Sequence, residues 1–534
     1  METIQKWLGD RRNQPAIYLL LGGLMLRSLI AFWLPIGFDE AYYYTYTLNP
    51  RLSYFDHPLM VALSTALGIG VTGGQVTPLT LRLGALVLYT GSLLLLYLIG
   101  AQLFSRRVGF LALAIASISP IFLMGFGVLT LPDAPLIFFW AATLFWAVQE
   151  FFRRPTYQPS YRIAILGLLL GLTCLSKYHG FVLGFSLVGF CLTSRQHRSA
   201  LLSPWTLLAL GLFCLTIAPL VIWNGQHDWV SLRFQADRGV PRMAFDLLAM
   251  LGTSLVGIAY LFPTIGFPLW WSSLRAIGQQ LTYLRSAQRQ RQQTQLKQRL
   301  ILWVAMPLIL GFTLVSGYQQ VLPTWQMPGF WSATLLLGLQ AEGWQITFPG
   351  RVRNWLWGSG LVVVLVLLLA LSHVTLGTLQ KPSQNAPFGG FLPISNDASV
   401  QLVDILQLRQ RFREQPELAH QLEQADFVFS DRFYLTGHIA LALNPISRKP
   451  YTCFDIDPRG FVFWSKPTDW LGKNALYVTS QQVPNATPDK YQDYFQAIQL
   501  MGEVPLYRGG EVIDRMKIYW CQTMVKPYPR PYGL

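Results

Sequence analysis

Long apolar runs constrain this chain more than any other feature. A bilayer core of about 30 Å is crossed by a helix of roughly 20 apolar residues, and runs of that kind recur from the N-terminus to about residue 376. Candidate spans lie at 16–36, 80–103, 108–127, 133–152, 204–223, 247–272, 300–319, 327–346 and 355–376. The run 163–193 is interrupted at Ser176-Lys177-Tyr178-His179-Gly180 and reads as two short helices hinged there, each half too short to span straight. Counting both halves, the expectation is an all-α polytopic bundle of about eleven transmembrane helices. Only 13% of the 534 residues are charged and 52% are hydrophobic, against about 25% charged in a soluble protein. That excludes a disordered chain and argues against a soluble multidomain enzyme. The first run lacks a small-residue cleavage site and is long for a signal peptide, so it reads as an anchor.

The formal net charge is +15, and in so apolar a chain that excess points to membrane topology rather than nucleic-acid binding. Lys6, Arg11 and Arg12 precede the first span. Arg106 and Arg107, then Arg153, Arg154 and Arg162, then Arg195 and Arg198, and finally Arg351 and Arg353, follow alternate spans. The loop 273–299 adds Arg275, Arg285, Arg289, Arg291, Lys297 and Arg299. It reads as a topology determinant with a solvated helical face, the alternative being an anionic-lipid or nucleic-acid patch. With eleven spans all these clusters share one side, which the positive-inside rule makes cytoplasmic. The expectation is a plasma (inner) membrane protein with a cytoplasmic N-terminus and an outer C-terminus.

After about Leu376 the composition becomes that of a soluble domain, giving a division into 1–375 and 376–534. Phe427-Val428-Phe429, Phe461-Val462-Phe463 and Ala475-Leu476-Tyr477-Val478 read as strands, and 399–424 and 488–501 as helices, so the tail is expected to be a soluble α/β domain on the outer side. Cys453 and Cys521 fall in it; a disulfide and two separate thiols are both open.

Charged groups beside or within spans are costly and usually functional. Here they gather on the outer side. Phe38-Asp39-Glu40-Ala41-Tyr42-Tyr43-Tyr44 and Tyr54-Phe55-Asp56-His57-Pro58 lie in a first outer loop at about 37–79, and Thr130-Leu131-Pro132-Asp133-Ala134-Pro135 follows the third span. Ser176-Lys177-Tyr178-His179-Gly180 marks the hinge, and Trp223-Asn224-Gly225-Gln226-His227-Asp228-Trp229 opens the next outer loop. Singly, each has an ordinary reading: an exposed acid pair, a helix cap at Asp133, an aromatic belt, hydrogen-bonded histidines without metal-ligand spacing. Together they suggest one polar cavity at the outer leaflet.

The same segments resemble the bacterial membrane glycosyltransferases of families 39 and 83, the aminoarabinose-transferase and protein-mannosyltransferase kind. The resemblance rests on Asp39-Glu40-Ala41-Tyr42-Tyr43, Tyr54-Phe55-Asp56-His57-Pro58, Pro132-Asp133-Ala134-Pro135-Leu136, Ser176-Lys177-Tyr178 with Gly180, and Trp223-Asn224 followed by His227, Trp229, Phe234 and Gln235. Leu322-Pro323-Thr324-Trp325-Gln326-Met327-Pro328-Gly329 is similar to a further family segment, with Thr324 where His is usual, and 425–443 is similar to the family's C-terminal strand and helix.

The resemblance implies the C-type glycosyltransferase fold and a sugar donor linked to polyprenyl phosphate. No nucleotide is then needed, in agreement with the lack of a strand–glycine-loop–helix fingerprint. The acceptor would be a hydroxyl of an envelope molecule, a lipid A- or lipopolysaccharide-like glycolipid foremost. Deprotonating or orienting that hydroxyl calls for a carboxylate, so Asp39, with Glu40 beside it, and Asp133 are the expected catalytic acids. The departing phosphate calls for positive charge, for which Lys177, Tyr178 and Arg82 are the candidates. Tyr54, Asp56, His57, Asn224 and His227 are expected to line the substrate cavity. No metal site is indicated and the cofactor is open. A polytopic transporter or a non-catalytic envelope assembly subunit is the alternative.

Overall fold

The computed structural model describes residues 9–238, 240, 244–283, 289–484 and 487–532. Lys6 and Arg285, named above, lie outside the described residues, as do the side chains of Arg289 and Arg291. In chain order the helices are α1 (Gln14–Trp33), α2 (Phe38–Leu48), α3 (Met60–Val71), α4 (Pro78–Leu103), α5 (Arg106–Ile118), α6 (Asp133–Phe152), α7 (Arg162–Ser176), α8 (His179–Thr193) and α9 (Pro204–Gln226). They continue with α10 (Val230–Asp237), α11 (Leu247–Leu261), α12 (Pro263–Tyr283), α13 (Arg289–Val315), α14 (Met327–Thr347) and α15 (Pro349–Leu376). The tail adds strands β1 (Gln380–Lys381) and β2 (Leu392–Pro393), helices α16 (Leu406–Glu414) and α17 (Pro416–Gln424), β3 (Phe427–Ser430) and α18 (Phe433–Leu443). Strands β4 (Tyr451–Cys453), β5 (Ala475–Ser480), β6 (Phe495–Arg508) and β7 (Glu511–Met524) complete it. Two compact units result: Met1–Leu29, His57–Val61 and Gly84–Leu365 form the first, and Ile30–Asp56, Ala62–Leu83 and Val366–Leu534 the second.

The first unit is helical. Among the described residues, six helices of the chain (α1, α4, α6, α9, α13 and α15) are long and apolar enough to cross a membrane. The hinge expected in 163–193 is present: α7 and α8 have 15 residues each, and Lys177 between them is extended (φ −161°, ψ 148°). Gly180 permits the turn, because a Cβ there would stand 2.5 Å from the Cys174 nitrogen. The segment 247–272, expected as one span, is instead the α11–α12 pair bent by 116°. Phe262 turns the corner at φ 74° and Pro263 has no N–H with which to continue the helix. The helices close on small residues, as apolar helices without a hydrophobic drive must. Gly167 and Gly171, one turn apart on α7, meet Ala209 and Thr216 of α9 so closely that a Cβ would sit 2.0 Å and 2.5 Å from their atoms. Trp140 of α6 donates its indole N–H to Ser332 of α14 at 2.9 Å inside a core that includes Leu96, Leu136, Val304 and Leu335.

The second unit carries a five-stranded sheet in the order β4-β3-β5-β7-β6, parallel from β4 to β5 and antiparallel beyond. Strand alternation sorts the two faces. Phe427 and Phe429 join an aromatic core with Phe454, Tyr477, Tyr491 and Phe495, and Val428 and Leu476 join an aliphatic one with Ile439, Ile36 and Ala41. The strands at 427–429 and 475–478 and the helices within 399–424 agree with expectation. Two segments do not. Residues 488–501 are a 3-10 turn followed by β6, since the chain from Phe495 pairs with β7 across a Gly509-Gly510 turn with φ 62° and 82°. Phe461-Val462-Phe463 lies in a 3-10 turn, not a strand. Cys453 on β4 and Cys521 on β7 are separated by β3 and β5, about 14 Å at the usual strand spacing. Both are free, buried thiols, and no disulfide joins them.

Candidate active site

In the second unit the acidic motif begins helix α2. Gly37 is the N-cap, and Glu40 in the third helical position accepts a hydrogen bond from the Gly37 N–H at 3.1 Å, as a capping-box acid does. Glu40 is 2% exposed and paired with Arg82, which is fully buried: Nε donates to Oε1 at 2.8 Å and Nη2 to Oε2 at 2.5 Å. The other three guanidinium hydrogens go to the carbonyls of Ala31, Leu34 and Pro35 at 3.0, 2.6 and 2.8 Å. Arg82 therefore caps the carbonyl end of α1, where a cation belongs, and its five donors are all engaged. Arg82, expected to hold phosphate, and Glu40, expected beside the reacting atoms, are instead the buried brace that seats α2. Asp39, one residue earlier and about 100° round the helix, is only partly buried.

The same unit locks the motif's aromatic residues. Tyr54 stacks on Tyr46 at 3.9 Å and donates to its carbonyl at 2.9 Å; burial pushes its hydroxyl up to about 12. At 2% exposure it is a packing residue rather than the cavity residue expected. The Gly460 N–H donates to the hydroxyl of Tyr42 at 2.9 Å, and Gly437 of α18 lets that helix approach so that a Cβ would be 2.8 Å from the Tyr42 nitrogen. His438, next along α18, is bonded through Nε2 to the Ile36 carbonyl at 3.0 Å and lies 4.5 Å from the Phe38 ring. Burial lowers it to about 4, so it is neutral at pH 7. Asp56 is buried and paired with Arg459 at 3.3 Å, and Arg459 also holds Asp457 at 2.9 Å.

In the first unit, Asp133 stands at the start of α6 and Lys177 at the end of α7. The ammonium donates to both carboxylate oxygens of Asp133, at 2.8 and 3.1 Å, with the two residues 8% and 9% exposed. An ammonium has three hydrogens, so one remains for a further oxygen. The Tyr178 hydroxyl shares a 2.7 Å hydrogen bond with Ser231 of α10. Asn224 is fully buried; it donates to Leu220 and accepts from Leu232, which ties α9 to α10. That makes it a joint between helices, not the cavity residue expected. His227 stacks on Trp223 at 4.2 Å with Nδ1 2.7 Å from the Trp223 carbonyl, and His57, in the short segment His57–Val61 of this unit, is half-buried. Thr324 and Trp325 form a 3-10 turn ahead of α14.

The whole-chain fold matches the crystal structure of ArnT from Cupriavidus metallidurans in the apo state with a TM-score of 0.57, at 13% identity, covering 94% of this chain and 97% of that one. The fold is the C-type glycosyltransferase fold. The same protein bound to undecaprenyl phosphate matches with a TM-score of 0.56 at 12% identity over 95% and 98% of the two chains. A family model described as dolichyl-phosphate-mannose-protein mannosyltransferase matches residues 56–223. No curated protein matches the chain. With this fold and its six long apolar helices, the chain is a multi-pass membrane protein.

Within the C-type fold, sequence reasoning missed Arg459, Gly437, His438 and Ser231. Each is defined by its tertiary partner, and only the Gly437-His438 pair, a glycine and a histidine inside an apolar helix, carried a local signal. Among the described residues no three His, Cys, Asp or Glu side chains are grouped to hold a metal ion.

Proposed function

We propose that the protein is a membrane glycosyltransferase that moves a sugar from a polyprenyl-phosphate donor to a hydroxyl of an envelope acceptor, a lipid A-like glycolipid foremost. The likeness to a protein solved with undecaprenyl phosphate supports the donor class. The observation that carries the reading is the division of labour in the Asp39-Glu40 pair: Glu40 is locked in a buried ion pair, while Asp39 stays partly exposed in the same helical turn.

Asp39 accepts the acceptor's hydroxyl proton as the oxygen attacks the anomeric carbon, help typically worth about 10²–10⁴-fold. The bond from that carbon to the phosphate oxygen breaks, and the electron pair leaves with the polyprenyl phosphate. Lys177 supplies its remaining hydrogen to a phosphate oxygen, and Asp133 fixes the ammonium's orientation. The N-terminus is cytoplasmic and the C-terminal domain lies on the outer face of the plasma membrane, where such acceptors are found.

Mass spectrometry of envelope lipids tests this reading. A strain lacking the gene should lose one glycosylated lipid, wild-type protein should restore it, and Asp39→Asn should not. An unchanged lipid profile in the deletion strain would reject the glycolipid acceptor.

A further inference from the structure

A notch of about 480 Å³ opens where the end of α4, the end of α6 and the start of α7 meet. It lies about 24 Å along α6 from Asp133, counted to Gln149 at 1.5 Å per residue. Arg153, Arg162, Gln102 and Gln149 line it, with Phe145 and Trp146 forming an apolar wall. Arg162 is 8% exposed, its guanidinium lies 5.3 Å from the Tyr161 ring centroid, and Nη1 reaches Ser160 at 3.3 Å. Neither Arg153 nor Arg162 has an ion-pair partner among the described residues. The buried acid Glu150 accepts from Tyr157 and from the amide and hydroxyl of Ser160; that hydroxyl also accepts from Arg162, so Glu150 meets Arg162 only through Ser160 and does not line the notch. Gln149 donates to Gln102 at 2.6 Å, which leaves the Gln102 amide hydrogens able to donate.

Arg162 meets its nearby carboxylate only through a hydroxyl and Arg153 has no carboxylate, so positive charge is left in the notch, and at a membrane boundary that favours an incoming anion. The positive-inside rule accounts for arginines at this end of the bundle, but not for one sunk into a cavity beside amide donors and an aromatic wall. We propose that the notch binds an anionic glycerophospholipid: the phosphate is held by Arg153, Arg162 and the Gln102 amide, and the acyl chains run along Phe145 and Trp146. Basic pockets between transmembrane helices on the cytoplasmic side hold such headgroups. The site is separate from the Asp133–Lys177 pair, at the opposite end of the same two helices.

The test is a native mass spectrometry titration of the purified full chain in detergent with phosphatidylglycerol, phosphatidylcholine, undecaprenyl phosphate and inorganic phosphate. Wild-type protein should retain phosphatidylglycerol but not phosphatidylcholine. Exposed Arg153→Gln should weaken retention about fivefold, the effect of one membrane-facing cation. Gln149→Glu, which sets a carboxylate against the two arginines and so keeps the helix ends together, should weaken it at least as much. Equal retention of phosphatidylglycerol by wild type and both variants would overturn the proposal. So would equal retention of phosphatidylcholine, or displacement of phosphatidylglycerol by inorganic phosphate or undecaprenyl phosphate at matched concentration.

Discussion

Glu40 and Arg82 offer the sharpest test of how the acidic motif is built. Glu40→Gln keeps the shape of the side chain but leaves a fully buried guanidinium facing an amide. Removing one partner of a buried pair costs about 3–5 kcal/mol, a large share of a total stability of roughly 5–15 kcal/mol. Arg82→Met should cost more, because it also strands the carbonyls of Ala31, Leu34 and Pro35, each worth about 1–3 kcal/mol when left unpaired and buried. The double variant should be less damaging than the sum of the two, since neither charge is then alone. The assay is thermal unfolding of detergent-purified protein, paired with polyprenyl phosphate affinity on the fraction that stays folded. The expected order of melting temperature is wild type, then Glu40→Gln, then Arg82→Met, with lipid affinity unchanged in folded Glu40→Gln protein. If Arg82→Met melts like wild type and binds polyprenyl phosphate tenfold more weakly, Arg82 is a phosphate ligand and the brace is wrong.

Lys177→Met should destabilise the protein, because the ammonium pairs with buried Asp133, and on the proposed phosphate role it should also weaken polyprenyl phosphate binding at least tenfold. Asp133→Asn/Lys177→Met removes both buried charges and should recover melting temperature without recovering affinity; wild-type affinity in that variant would refute the phosphate role. His438 is neutral when folded and lowered to about 4 by burial, against about 6.5 unfolded. The unfolded chain therefore binds the extra proton, and this stability is full above pH 6.5 and lost as pH falls from 6.5 to 4, by about 3 kcal/mol. Melting curves of wild type and His438→Asn between pH 7.5 and 4.5 should diverge on the acid side, and parallel curves would show that His438 is not the group responsible. In a cysteine-free background, an impermeant reagent added from the outer side should label Lys473→Cys and not Arg154→Cys; labelling of Arg154→Cys alone would reverse the proposed orientation, and equal labelling of both would overturn the topology.

The parts of this molecule that were legible in the sequence are those encoded locally. Apolar length marked the long helices, and the polar interruption at Ser176–Gly180 marked the α7–α8 break. Burial is what the sequence hid. Asp39 and Glu40 are neighbours of equal charge, and only the distant Arg82 decides which of them faces inward. The same holds for Asp56, whose partner Arg459 is some four hundred residues away. Two signals were present but outweighed: Phe262-Pro263, which breaks the 247–272 span, and Gly509-Gly510, whose turn makes β6 a strand where propensity suggested a helix. In the latter case pairing with β7 overrides local preference, as sheet context commonly does.

The most direct measurement of the central claim is release of free polyprenyl phosphate from a polyprenyl-phosphate sugar by the purified protein in the presence of extracted envelope lipid. Wild-type protein should release it with the acceptor present, and Asp39→Asn, folded and with normal melting temperature, should do so at least a hundredfold more slowly. Release by Asp39→Asn at the wild-type rate, or no release by the wild-type protein with any polyprenyl-phosphate sugar, would contradict the account.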